Sequence, residues 1–128
     1  ITTDIELLAV LGHELGHVEH RHGLQTLIRS SLMLFVYTLV TGDAAGASSS
    51  VAALPALLLE QGYSRDFERE ADDYAMAFLK QHKIPKTALM SALNKIYQAH
   101  EIDQQAGIAD YLSSHPAPKE RLERLQQR

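Results

Sequence analysis

His13 and His17 stand four residues apart with a glutamate directly after the first, in the run His13-Glu14-Leu15-Gly16-His17. No other feature constrains the fold of this chain as much. On a helix, positions i and i+4 lie one above the other on one face, so both imidazoles can grip a single metal ion. Glu14 then sits one residue round the helix, within reach of a water on that ion. The flanks predict a helix. Leu7, Leu8, Val10, Leu11, Leu15 and Val18 supply apolar surface for its burial. Thr3 and Glu6 read as a capping box at its start, and Gly23 stands where it could end. Gly16 costs about 1 kcal/mol relative to alanine in mid-helix. The expected compensation is close approach of another backbone or of substrate. The alternative, two polar histidines on a surface helix, needs spacing, glutamate and burial pattern to coincide by accident.

The chain contains no cysteine, so any metal must be held by histidine and carboxylate. On a helix, His-Glu-x-x-His is the signature of zinc metallopeptidases. Acids and bases are interspersed at a formal charge of −4, and the absence of a basic patch excludes a nucleic-acid partner. A length of 128 residues predicts one domain, 1–128, with a single core. The chain opens on Ile1, almost at the first helix, and shows no signal peptide. This reads as a fragment whose upstream N-terminal region is missing.

Residues 32–40 and 51–59 are apolar runs broken by the Gly-, Ala- and Ser-rich stretch 42–50. Neither reaches the roughly 20 residues that span a bilayer. The expectation is a helical hairpin over 27–59, an ordinary buried core element in preference to one that dips into a membrane. Ser64 can cap a helix running to about His82, with Phe67, Ala71, Tyr74 and Phe78 at helical spacing. Pro85 opens another to about His100, lined by Leu89, Leu93 and Ile96. A short helix is expected over 106–112 and a last one after Pro118. No segment alternates as a strand does, so the fold class is mainly α with little or no sheet.

A catalytic zinc takes three protein ligands and leaves one position for water. The three-histidine version needs glycine at position 20 and histidine at position 23; the chain has His20 and Gly23. His20 lies about 10 Å along the helix from His13, too far to share its ion. The remaining candidates lie in 63–73. There Glu68 and Asp72 share a face, whereas Glu70 points about 200° and Asp73 about 140° away from Glu68. Glu68 is the expected third ligand, with Asp72 accepting a hydrogen bond from a ligand histidine and Glu70 taking no part. Ala71 and Ala75 would let this helix pack tightly near Gly16.

Three blocks now stand in order: His13-Glu14-Leu15-Gly16-His17 with Arg21-His22, then Ser64-Arg65-x-x-Glu68-x-x-Ala71-Asp72, then Ser114-His115-Pro116 with Glu120-Arg121-Leu122. Together they resemble the HtpX/Oma-type zinc metallopeptidases, a gluzincin family that also contains the CAAX prenyl endopeptidases. The resemblance implies a zincin-like helical catalytic domain, its HExxH helix packed on a Glu-bearing helix. It implies one Zn2+ per domain held by His13, His17 and Glu68, with Glu14 as general base and a polypeptide as substrate. It further implies a cell-envelope or membrane-associated setting and a role in protein quality control. Family members carry a substrate-aligning strand before the catalytic helix, of which only residues 1–3 could remain here. His115 lies in a loop-like segment with two prolines. It is expected either to cap the final helix or to approach the metal as a fourth ligand or oxyanion stabiliser. Arg65 and the tyrosines are further oxyanion candidates. The rival reading is a non-catalytic, zinc-stabilised chaperone-like domain that binds apolar segments through the 27–59 hairpin. Glu14 argues against it, since a purely structural zinc has no use for a base.

Overall fold

Thr3 starts the first helix by a reciprocal cap: its Oγ1 accepts the Glu6 N–H and its own N–H donates to Glu6 Oε2, both at 3.3 Å. In the computed structural model, which describes residues 3–46, 48–50, 62–102, 111–115 and 119–127, this helix is α1, Asp4–Glu19. It is followed by α2 (His22–Thr41), α3 (Arg65–Gln81), α4 (Thr87–Ile102) and α5 (Lys119–Gln127). There is no strand among the described residues. Ser64 caps α3 by accepting the Phe67 N–H, and the chain leaves that helix through Lys83 in a left-handed conformation (φ 57°).

The α1 and α3 helices meet at their backbones. A Cβ on Gly16 would lie 2.8 Å from Ala71 Cα and 2.9 Å from Ala71 O, so only glycine fits there. This close approach is what offsets the glycine's helix cost. Behind the contact, Ala9 of α1 joins Ala75 and Leu79 of α3, Ala88, Leu89 and Leu93 of α4, and Leu125 of α5 in one core. Glu6 ties α1 to α4, since its buried Oε1 accepts bonds of 2.6 Å from both Ser91 Oγ and Lys95 Nζ.

Three expectations change. Of the apolar residues expected to bury α1, only Val10 is buried; Leu7, Leu8, Leu11, Leu15 and Val18 are 39–71% exposed. The inward face carries Glu6, Ala9, Gly12, His13, Gly16 and His17 instead. Small residues allow the close approach of α3 and the polar ones find partners there, so the leucines are left on the opposite side. Second, α1 does not end at Gly23. Arg21 makes the turn in the left-handed region (φ 55°), and Gly23 is already inside α2. Third, the apolar run 32–40 belongs to a longer helix. The 20 residues of α2 buried nothing but His22. It is long and apolar enough to cross a bilayer, about 30 Å at 1.5 Å per residue. Among the described residues it is therefore exposed and not the buried core element expected. The other half of the expected hairpin, 51–59, lies outside the described residues, as does most of 106–112; residues 111–114 form a helical turn.

Candidate metal centre

The inward face of α1 and the first turns of α3 bring His13, His17 and Glu68 together, and the turn after 111–114 adds His115. All four are buried, and one donor atom from each lies within 4.8 Å of the others. His17 Nε2 is 3.1 Å from His13 Nε2. Glu68 Oε2 is 3.4 Å from His13 Nε2, and Glu68 Oε1 is 3.2 Å from His17 Nε2. A tetrahedral zinc with bonds of about 2.0–2.2 Å has ligand–ligand edges of about 3.3–3.6 Å. The three separations come close to these, and two imidazoles with a carboxylate are zinc's own donor types, so the residues fit the ion.

Each donor is held from behind. Asp72 Oδ1 lies 3.0 Å from His13 Nδ1. Asp72 is itself gripped by Arg121 of α5 through a two-pronged contact, Nε to Oδ2 at 2.8 Å and Nη2 to Oδ1 at 2.7 Å. Arg121 Nη1 also lies 2.6 Å from Glu68 Oε2, although neither atom has an aligned hydrogen-bond partner. His115 Nδ1 is 3.0 Å from Glu68 Oε1, and its Nε2 is 3.6 Å from Glu14 Oε1. Glu14 Oε1 is shielded from solvent and has no hydrogen-bond partner among the described residues. The His115 turn is fixed to the start of α3 by the Tyr63 N–H to Ser114 O bond of 2.8 Å. Tyr111 stacks on His115 and Tyr63 on His17.

Burial acts on the charge of His13, His17, Glu68 and Asp72. It opposes a charged His13, yet the contacts with Asp72 and Glu68 outweigh it and raise the pKa of that histidine above the ordinary value. For His17 burial prevails and lowers it. Burial also opposes ionised Glu68 and Asp72. The surrounding His115, His13, His17 and Arg121 nevertheless hold Glu68 well below the usual carboxylate range, and His13 and Arg121 lower the pKa of Asp72. The centre thus combines anionic oxygens with at least one imidazole poised to lose its proton, the state in which such groups bind metal.

Arg65, an oxyanion candidate in the sequence, is 71% exposed along its side chain and pairs with Glu120 at 3.7 Å, outside the cluster. His20 is exposed beside His22. Two groups to which the sequence assigns no role of their own, Arg121 and His22, matter more, and each stands in the sequence only within a motif block. His22, fully buried, lies 2.9 Å from His17 Nδ1 through its own Nδ1 and 2.9 Å from Glu70 Oε2 through Nε2. Glu70, expected to take no part, contacts His22 and through it His17.

The whole chain is similar in sequence to known metalloproteases. Metalloprotease LoiP of Escherichia coli (strain K12) is 31% identical over 130 residues, covering 98% of this chain and 50% of that protein. The protease HtpX homolog of Ralstonia pickettii (strain 12J) is 30% identical over 163 residues, covering 99% and 56% respectively. The mitochondrial metalloendopeptidase OMA1 of Arabidopsis thaliana is 30% identical over 129 residues, covering 98% and 24%. The chain therefore spans about half the length of the first two and a quarter of the third. Among solved structures there is no significant match. The model of Peptidase family M48 matches residues 1–128 from end to end, and the chain belongs to that family.

Proposed function

We propose that residues 1–128 form the catalytic domain of a zinc-dependent endopeptidase, with His13, His17 and Glu68 holding the ion. The observation that carries this reading is the three-donor geometry, with the solvent-shielded Glu14 Oε1 beside it, free of any hydrogen bond among the described residues. A bound zinc supplies Lewis acidity, lowering the pKa of water and polarising the scissile carbonyl. Glu14 takes the proton of the attacking water and passes it to the leaving amine. Asp72 accepts the Nδ1–H of His13, which leaves Nε2 bare toward the ion. His115 lies between Glu68 and Glu14, and two roles fit it. As a fourth ligand it excludes water, and His115→Ala raises activity; as an oxyanion stabiliser it assists, and the same change lowers activity. The substrate is a polypeptide. The exposed apolar α2 supports a membrane-associated setting, and the family resemblance supports envelope protein quality control as the role.

The test is Glu14→Gln in the whole natural protein, since this chain spans only part of its relatives. The variant should keep its fold and zinc content while peptide hydrolysis falls by about 10²–10⁴-fold, the usual contribution of a general base. Hydrolysis at the wild-type rate would overturn the mechanism.

A further inference from the structure

His13 and His17 face the same problem, which is that an imidazole can offer Nε2 to a metal only if its proton sits on Nδ1. For His13 the solution is direct, because the Asp72 carboxylate lies against Nδ1. Nδ1 of His17 instead meets another imidazole, Nδ1 of His22, at 2.9 Å. Between two neutral imidazoles either proton arrangement is available, and one of them disables His17 as a ligand. Glu70 favours the metal-binding arrangement, against Glu68 Oε1, which lies 3.2 Å from His17 Nε2 and accepts its proton when no ion is bound. Glu70 Oε2 is 2.9 Å from His22 Nε2, and a carboxylate only accepts.

We propose that Glu70 and His22 are positioning residues that set the tautomer of His17. Glu70 accepts the Nε2–H of His22, so His22 Nδ1 is bare and accepts the Nδ1–H of His17, and His17 Nε2 is bare toward the metal. The opposite arrangement would set the Nε2 lone pair of His22 against a carboxylate oxygen. The local fold is arranged around this relay. The left-handed Arg21 ends α1 and starts α2 at His22, which brings that residue back over His17. His22 is fully buried and stacks on Phe67 of α3, ring centroids 4.2 Å apart and planes 12° from parallel, which fixes its ring. The side chain of Glu70 is 53% exposed, so it can be changed without opening the core.

The inference rests on the reading of His17 as a ligand, and two measurements keep the two claims apart. The first is a long-range ¹H–¹⁵N correlation spectrum of the histidine rings in zinc-loaded protein, because without the ion Glu68 Oε1, 3.2 Å from His17 Nε2, draws the proton the other way. It should show His22 protonated on Nε2 with its Nδ1 bare. The second is zinc affinity by chelator competition on the whole protein. Glu70→Ala and His22→Phe should each weaken zinc by about 10–100-fold, the usual effect of losing a group that orients a ligand. Glu70→Gln, which keeps an acceptor oxygen, should lie nearer wild type than Glu70→Ala. Asp66→Ala removes an exposed carboxylate from the same helix and should leave affinity unchanged. His22 protonated on Nδ1 in the wild-type spectrum, or wild-type zinc affinity in Glu70→Ala, would overturn the relay whether or not His22→Phe folds. Undiminished zinc binding in Glu68→Gln would instead overturn the ligand assignment and leave the tautomer result standing.

Discussion

Arg121 is the residue that allows two buried carboxylates to stand one helical turn apart. Its guanidinium contacts both Asp72 and Glu68, and each of the three side chains is at most 4% exposed. Removing one partner of a buried ion pair typically costs about 3–5 kcal/mol, because the other charge is left uncompensated. Arg121→Met should therefore destabilise the metal-free protein by about that amount, measured by urea denaturation in chelator. Added zinc should recover part of the loss, since the ion supplies a replacement positive charge to Glu68. The same carboxylates fix an acid limit. Both have folded pKa values below their unfolded ones, so their stabilisation is present above about pH 4 and disappears as pH falls toward the depressed values. The urea midpoint of metal-free protein should drop steeply below about pH 4, and Asp72→Asn should flatten that limb. A midpoint that ignores acid in this range would mean the carboxylates are not held ionised. Near pH 6.5 His13 and His17 contribute slopes of opposite sign, because their pKa values are shifted in opposite directions.

Between α1 and α3 the decisive position is Gly16. Alanine there would gain about 1 kcal/mol of helix propensity but would drive a methyl into the backbone of Ala71. Backbone cannot swing aside as the tip of a side chain can, and overpacking of this kind costs about 1–3 kcal/mol. Gly16→Ala should be destabilising by up to about 2 kcal/mol net and should weaken zinc binding, because spreading the helices separates His13 and His17 from Glu68. Thermal denaturation with a parallel chelator titration checks both. Gly16 also shows what is legible in sequence and what is not. Its glycine cost and the nearby alanines announce a close helix contact, and the caps at Thr3 and Ser64 announce where α1 and α3 begin, because these are local signals. The grouping of Glu68 with Asp72 follows from helical phase alone. The inward side of α1 does not, since an apolar count cannot say which face a neighbour will take when small and polar residues fit that neighbour better. His22 is hidden for a different reason. Its approach to His17 depends on Arg21 adopting a conformation that sequence patterns assign to glycine. Glu70 is hidden behind it, because phase gives the direction in which a side chain leaves the helix but not what waits at its tip.

At the scale of the molecule, the outward leucines of α1 and nearly the whole of α2 form apolar surface that no described residue covers. Isolated exposed leucines are ordinary, but a 20-residue helix with Leu32, Met33, Phe35, Val36, Leu39 and Val40 all exposed is not. Placing the charged pair Val36→Glu and Leu32→Lys on α2 should reduce the membrane-pelleted fraction of the natural protein while leaving zinc affinity within about 2-fold, since surface changes remote from a site are usually near neutral. An unchanged pelleted fraction would remove α2 as the anchoring element. The two-sidedness of α1 has a practical consequence as well. Its inner face and its outer face are written in separate residues of one rod, so either can be edited while the other is kept. Leu7, Leu11, Leu15 and Val18 could be exchanged for glutamate and lysine as a recoding of the exterior, giving a water-friendly version of the domain for spectroscopy with the same two histidines facing in.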